Sequence, residues 1–599
     1  MPVSQRDMQF LIHEVLDFEG HYRALDIADP PSRELIDAIV DEAARFTENE
    51  LAPLNRVGDE QGCQLTEGEV TTPAGFKEAY AKYVEGGWAG LSGDPVYGGQ
   101  GLPDSVSLFL EDLMCCANMA WTMYPGLSRG AIAALESHGS EELKSQFLGK
   151  LLSGEWTGTM CLTEAHAGSD VGLAKTRAEP QADGTYAITG TKIFISAGDH
   201  DMAENIVHLV LARLPDAPAG TKGISMFVVP KFLLDGGRNT VTCGSLEEKM
   251  GIHGNATCGL HFEEARGHLV GEAGDGMRYM FTMMNGARLV VGLQGACLAH
   301  AAFLQSAEYA RERLQMRSLT GPKAADKPAD PIIVHPDVRR MLLLQRSIAE
   351  GGRALVYYAG QIADRASHGP PEDRASADEL LDFLTPIVKG GLTELGFESV
   401  NQAVQIFGGH GFIRETGVEQ YVRDVRISLI YEGTTQIQAL DLLGRKILQN
   451  QGKGLVTFVG EMTMLADSLE KSLPDIASAL KDLGEEWGEL TMNVGGTAME
   501  DLDELGAASV DYLLYSAYAA LAFCWALMAR AAVGEDSGNE GSGNEDSGKK
   551  GADPFISGKL AVARFYFARI LPRTQGHKAA IEAGKSTLMD PDEDALTNL

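Results

Sequence analysis

A single carboxylate, Glu432, stands directly before a glycine in the run Ile430-Tyr431-Glu432-Gly433-Thr434-Thr435-Gln436-Ile437-Gln438, whose other members are neutral. Apolar and aromatic neighbours keep water from such a group and raise its pKa, which suits a general base working near neutral pH. The adjacent Gly433 lets another molecule approach the backbone closely. The same residues also read as a helix start, with Thr434 as N-cap and Glu432 as its solvated flank.

Three further segments carry chemistry-bearing residues upstream: Cys161-Leu-Thr-Glu-Ala-His-Ala-Gly-Ser-Asp170, Lys249-Met-Gly-Ile252 and Gln405-Ile-Phe-Gly-Gly-His-Gly411. In the first, Ala167-Gly168-Ser169 is a small-residue loop after a strand; its backbone N–H groups and hydroxyl suit a pyrophosphate, or make a plain Ser/Gly turn. Phe194 and Ser196 lie on an alternating strand, where a core position for Phe194 fits the pattern equally well. Arg313 falls at a helix C-terminus, where a cation complements the dipole. No G-x-G-x-x-G after a strand and no Walker loop is present.

These segments need elements to hold them. Residues 33–155 show helical periodicity broken by the turn Gly98-Gly99-Gln100-Gly101-Leu102-Pro103. Strands are expected at 186–195, after the turn signal Asp183-Gly184, and at 206–214 and 224–232. Helical spacing returns after Gly276, in a helix reaching about Arg313, and a Pro-containing loop occupies 321–336. A helix over 387–407 stops at Gly408-Gly409. Past Leu448 comes a further helical block, interrupted by a polar low-complexity tract near 534–552 that is expected to be a mobile loop.

The formal net charge of -34 opposes nucleic acid or an anionic membrane as partner. Eight cysteines include no C-x-x-C pair, and fourteen histidines supply no H-E-x-x-H spacing. Reduced thiols, no structural metal and a cytoplasmic location are expected, and the opening MPVSQRDMQF suggests no export signal. Residues 512–529 carry no charge and approach the length of a membrane span. Their alanine and tyrosine content favours a buried helix in a helical domain.

The four segments, in this order, resemble the acyl-CoA dehydrogenase family over residues 33–448. The resemblance implies an α+β multidomain fold: an N-terminal helical domain, a middle β domain and a C-terminal four-helix bundle, here with an extra C-terminal helical domain. The expected boundaries are 1–32 for an N-terminal extension, then 33–157, 158–275, 276–449 and 450–599.

The family's chemistry implies FAD as cofactor. Met160, Leu162, Thr163 and Gly168 would line it, with Ser169 on the pyrophosphate and also near substrate. Phe194 would cover the outer flavin face and Ser196 would reach its N5 edge. Arg313 and Gln315 match a pair that reaches the FAD of a neighbouring subunit, Gln405 and Gly409 match the cradle of its adenosine diphosphate, and Thr434 and Gln436 hold the flavin. Where the family usually has proline after the Glu of the first loop, this chain has Ala165-His166, which leaves His166 either on ligand or facing solvent. Arg288 matches an arginine at the thioester end of CoA, although Asn285 stands where an aspartate is common. Glu432 then becomes the base for the α-proton of an acyl-CoA thioester, with its own backbone N–H holding the thioester oxygen and Tyr431 and Gly433 lining the substrate.

The opening residues 6–16 and the long C-terminal extension are similar to a bacterial branch that converts 3-(methylthio)propanoyl-CoA to methylthioacryloyl-CoA during dimethylsulfoniopropionate degradation. A short- or medium-chain fatty acyl-CoA dehydrogenase is the alternative, and Met283-Met284 fits either a thioether substrate or a core gap. The resemblance also implies an electron-transfer flavoprotein as acceptor and a homodimer. Rival readings are an acyl-CoA oxidase, a membrane-associated dehydrogenase anchored through 512–529, and a DNA-binding flavoprotein, the last opposed by the acidic charge.

Overall fold

A computed structural model describes residues 4–538 and 553–597. It divides into two compact units: one spans Ala38–Val290, and the second joins the described residues before Ala38 to those after Val290.

In the first unit the helix Asp104–His138 is buried through most of its length and is kinked at Asn118. The Asn118 Oδ1 accepts from the Trp121 N–H at 3.1 Å, which recaps the helix after the kink. The stretch read as wholly helical also holds a hairpin, β1 (Gln64–Thr66) and β2 (Glu69–Thr71). Strands of three residues are too short to display a period of two, so the helical pattern around them conceals them.

Seven longer strands follow: β3 (Trp156–Cys161), β4 (Arg177–Pro180), β5 (Tyr186–Ser196), β6 (Asn205–Arg213), β7 (Ile224–Pro230), β8 (Val241–Leu246) and β9 (Thr257–Val270). β6 lies parallel to β3 on one side and antiparallel to β7 on the other, and β7 continues through β9 and β5 to β4. β4 returns to β6 at Arg177, so the path closes on itself. β7 is buried at every position and β6 at all but its last, which is why both read as continuous apolar runs rather than alternating ones.

In the second unit Pro336–His368 packs with Pro371–Pro386 and Leu392–Phe407, and the C-terminal part of the helix Gly276–Glu312 meets the first and third of these at Gly352 and Leu392 to complete the four-helix bundle. Gly295 and Gly396 let two of these helices touch backbone to backbone: a Cβ on Gly396 would fall 2.6 Å from the Gly295 carbonyl oxygen. The extra domain adds Lys453–Leu469, Pro474–Glu500, Leu502–Gly538 and Pro554–Phe565. The uncharged stretch 512–529 is buried within this unit, and its polar groups find partners there. Trp525 Nε1 donates to the Ser347 carbonyl at 2.9 Å, and Trp487 Nε1 donates to the Tyr512 hydroxyl at 3.1 Å. A helix so enclosed is a core helix. The tract expected to be a loop near 534–552 remains helical to Gly538, and residues 539–552 lie outside the described residues.

A buried charge cluster ties the N-terminal segment to the helices Pro336–His368 and Pro554–Phe565. Asp7 pairs with Arg353 Nη1 at 2.9 Å and with Lys559, whose Nζ also meets Glu350 Oε2 at 2.8 Å.

Candidate active site

The first unit carries the loop after β3. Glu164 folds this loop: its N–H donates to the Ala167 carbonyl at 3.1 Å, and the Ala167 N–H donates back to the Glu164 carbonyl at 2.9 Å. The Glu164 carboxylate accepts from the Lys175 N–H at 2.8 Å, the Thr176 N–H at 3.0 Å, the Thr176 hydroxyl at 2.7 Å and Lys192 Nζ at 2.9 Å. Lys192 Nζ also donates to the Leu162 carbonyl at 2.9 Å, which locks the backbone of the expected flavin-lining residues to β5. Burial pushes the Glu164 carboxyl up, but the Lys192 charge and these donors outweigh it, so the pKa is lowered to about 2.

With the loop fixed, Gly168 and Ser169 face outward, and a Cβ on Gly168 would meet nothing within 4 Å. His166 turns back on its own loop, with Nε2 3.1 Å from the Leu173 carbonyl and 3.6 Å from Glu164 Oε2.

β5 comes alongside through the Ile193 N–H, which donates to the Thr163 carbonyl at 2.9 Å. Its register against β9 slips between Lys192 and Ile195, and Phe194, inside that bulge, has φ of +59°. The ring is 59% exposed, so the alternating-core reading of Phe194 fails. An aromatic residue held outward in the left-handed region is costly by about 1–3 kcal/mol, and such strain gathers at ligand sites. Met160, Leu162, Thr163, Gly168, Ser169, Phe194 and Ser196 thus all belong to one loop-and-strand surface.

Glu432 lies in the second unit, in a turn between Arg426–Leu429 and the short helix Thr435–Leu440. The helix-start reading of its sequence holds in part, because Thr434 does cap that helix, its hydroxyl accepting from the Ile437 N–H at 3.4 Å. Glu432 itself is not a solvated flank: it is half-buried at φ +55°, followed by Gly433 at φ +90°. The Glu432 carbonyl accepts from Gln438 Nε2 at 2.8 Å, and the Gly433 carbonyl accepts from Lys389 Nζ. Tyr431 donates its hydroxyl to Gln294 Oε1, and the Thr435 hydroxyl donates to Glu394 Oε1 at 2.6 Å. Gln436 is exposed.

Elsewhere in this unit, Tyr309 stacks on Phe407 with centroids 4.2 Å apart. Tyr309 Oη also lies 3.4 Å from the Phe407 carbonyl and 3.5 Å from His410 Nδ1, so the helix that leads to Arg313 meets the end of the helix that bears Gln405. The loop after Arg313 is organised by Asp330, which accepts from the Ser318, Lys323 and Ala324 N–H groups. These backbone donors, led by the Ser318 N–H, hold the Asp330 carboxyl far below its usual range. Gly409, like Gly168, would place a Cβ in open space.

Asn285 and Arg288 sit in the first unit. Asn285 is exposed, whereas Arg288 is buried with its guanidinium 6.0 Å from the Phe281 ring centroid. Met283 is packed in the core against Gly130 and fills a gap, which removes it as a thioether selector.

The surfaces suit the implied flavin: open backbone at Gly168 and Gly409, an outward aromatic ring, and hydroxyls on Thr163 and Ser196 beside it. Sequence reasoning missed the residues that set these surfaces, namely Glu164, Thr176, Lys192, Gln294, Lys389 and Gln438. A signal existed for Lys389, the one charge in the run Phe383-Leu-Thr-Pro-Ile-Val-Lys-Gly-Gly-Leu-Thr393.

Comparison with known proteins agrees with this layout. Residues 34–155, 159–265 and 274–448 match the N-terminal, middle and C-terminal domains of acyl-CoA dehydrogenase, and 458–592 match the domain described as acetyl-CoA dehydrogenase C-terminal like. The 3-methylmercaptopropionyl-CoA dehydrogenase of Ruegeria pomeroyi is 43% identical over 92% of this chain and 93% of its own length. The broad-specificity linear acyl-CoA dehydrogenase FadE5 of Mycobacterium tuberculosis is 35% identical over 99% of both. Among solved structures, Caenorhabditis elegans ACDH-11 in complex with C11-CoA shares the fold at TM-score 0.75, with 18% identity, over 98% of this chain and 96% of that one. From its own sequence and these full-length matches, the chain belongs to the acyl-CoA dehydrogenase family.

Proposed function

We propose that the protein oxidises 3-(methylthio)propanoyl-CoA to methylthioacryloyl-CoA in the cytoplasm, as a homodimer that passes its electrons to an electron-transfer flavoprotein. The family is FAD-dependent, and FAD, when bound, supplies the acceptor for the β-hydride. The chain's own residues do the rest. Glu432 takes the α-proton, and its backbone N–H supports the thioester oxygen as enolate charge develops. The loop Thr163 to Ser169 and the strand residues Phe194 and Ser196 hold the cofactor. Arg313 and Gln315 reach the FAD of a neighbouring subunit, Gln405 and Gly409 cradle the adenosine diphosphate of FAD, and Thr434 and Gln436 hold the flavin.

The observation that carries the reading is the Glu432 turn. A carboxylate is held half-buried in a left-handed conformation that costs stability, a kind of strain that gathers at functional sites. The choice of the thioether substrate leans on the Ruegeria pomeroyi relative, whose identity to this chain exceeds that of the linear acyl-CoA enzymes. None of the eight cysteines, all among the described residues, is in a disulfide, which supports the reducing compartment.

The test is bleaching of the FAD absorbance by a panel of thioesters. Methylthiopropanoyl-CoA is expected to bleach with a higher kcat/KM than butanoyl-CoA or octanoyl-CoA. Preference for the straight chains removes the sulfur substrate and leaves the enzyme class standing. Rapid reoxidation by air would instead mark an oxidase.

A further inference from the structure

We infer that Lys389 and Gln438 are positioning residues for Glu432, and that the extra C-terminal domain acts on the reaction by buttressing the turn that bears Lys389. The inference rests on the reading of Glu432 as the α-proton base. Two successive residues, Glu432 at φ +55° and Gly433 at φ +90°, occupy the left-handed region, which a non-glycine residue keeps only when its surroundings over-determine it. Here each carbonyl of the pair has its own donor from the interior: Gln438 Nε2 for Glu432 at 2.8 Å, and Lys389 Nζ for Gly433. Both donors come from fully buried side chains. A Cβ on Gly433 would fall 2.7 Å from Gln438 Nε2, so the amide and the turn fit with no slack.

Lys389 sits in the π-helical turn Ile387–Gly391 at the head of the helix Leu392–Phe407. One extra residue in that turn rotates the lysine off the regular face of the bundle, a device common at functional sites. The turn is backed by the uncharged stretch 512–529 of the helix Leu502–Gly538 in the extra domain. A Cβ on Gly390 would meet Leu513 Cδ2 at 2.6 Å, and one on Gly391 would meet Ala517 Cβ at 2.4 Å. Leu513 and Ala517 therefore press against the two residues that follow Lys389. The same helix also contacts Thr435–Leu440, which bears Gln438. Both donors thus stand on elements that the extra domain supports.

The experiment compares Lys389→Met, Gln438→Leu and the double variant in the FAD-loaded full-length enzyme. Each single variant is expected to lower kcat at least tenfold at unchanged KM and FAD content. With α-deuterated acyl-CoA the primary isotope effect is expected to rise, because a displaced base makes proton removal rate-limiting. The double variant should fall little below the worse single one, since both act on one pair of peptides. A merely structural role would lower yield and FAD content and leave kcat per bound FAD and the isotope effect unchanged. If Lys389→Met does not fold, Gln438→Leu carries the test, and Leu513→Ala tests the buttress. Turnover and isotope effect within twofold of the parent enzyme in the folded variants overturn the inference. Glu432→Gln, measured alongside, separates the two ideas: an active Glu432→Gln removes the base itself, whereas an inactive one beside fully active Lys389→Met and Gln438→Leu removes only the positioning role.

Discussion

Replacing Lys192 with methionine isolates the device that shapes the cofactor loop. Lys192 is fully buried, and its ammonium joins Glu164 to the Leu162 carbonyl. A carboxyl lowered from 4.5 to about 2 corresponds to about 3 kcal/mol of stabilisation at neutral pH, which screening at the loop's rim reduces to roughly 2 kcal/mol. Part of this is offset because burial lowers the Lys192 pKa and so disfavours its charge. Removing only the lysine leaves Glu164 charged with three donors from Lys175 and Thr176 and no cation, and is expected to cost about 3 kcal/mol. The Glu164→Gln/Lys192→Met double variant should cost less than the single one, because no buried charge is stranded. Urea unfolding followed by tryptophan fluorescence measures the first quantity. FAD titration measures the second, with Kd expected to rise about tenfold as the loop loosens.

The pH dependence has a definite sign. A depressed carboxyl pKa gives stability that is present above about pH 4.5 and is lost as pH falls through about 2. The parent enzyme should therefore lose more stability than Lys192→Met across that window. An unfolding midpoint and an FAD Kd both equal to those of the parent enzyme would refute the reasoning.

Two further outcomes follow from the geometry. Phe194→Gly relieves a positive φ and is expected to leave thermal stability unchanged or slightly raised, while FAD affinity falls about tenfold as the exposed ring is lost; thermal melts and FAD titration on one preparation check this. Lys559→Met removes the cation shared by Asp7 and Glu350, leaving each with one arginine (Arg353 and Arg346), and is expected to destabilise the second unit by about 2–3 kcal/mol, read by urea unfolding, with kcat per bound FAD unaffected in the folded fraction.

How much of this was legible in the sequence depends on the range over which each feature acts. The cap at Thr434, the loop after β3 and the apolar runs of β6 and β7 are local, and their residue types display them. The hairpin at 64–71 was missed because its strands are shorter than the period they would have to show. The left-handed conformations at Phe194 and Glu432 were also invisible, since neither residue type favours them and the restraints come from far away in the chain. Lys389 acts on Gly433 across 44 positions, and Lys559 meets Asp7 across 552. Periodicity carries no record of such pairings, so the Glu432 motif was readable and the machinery that aims it was not.

The most direct test of the account is Glu432→Gln. The amide keeps the size and shape of the side chain, so FAD should remain bound with its absorbance spectrum intact. Bleaching by methylthiopropanoyl-CoA in a single turnover should slow by at least about 100-fold, the lower end of what a positioned general base contributes. Bleaching at the parent rate, with FAD bound and the fold intact, would contradict the central claim that Glu432 removes the α-proton.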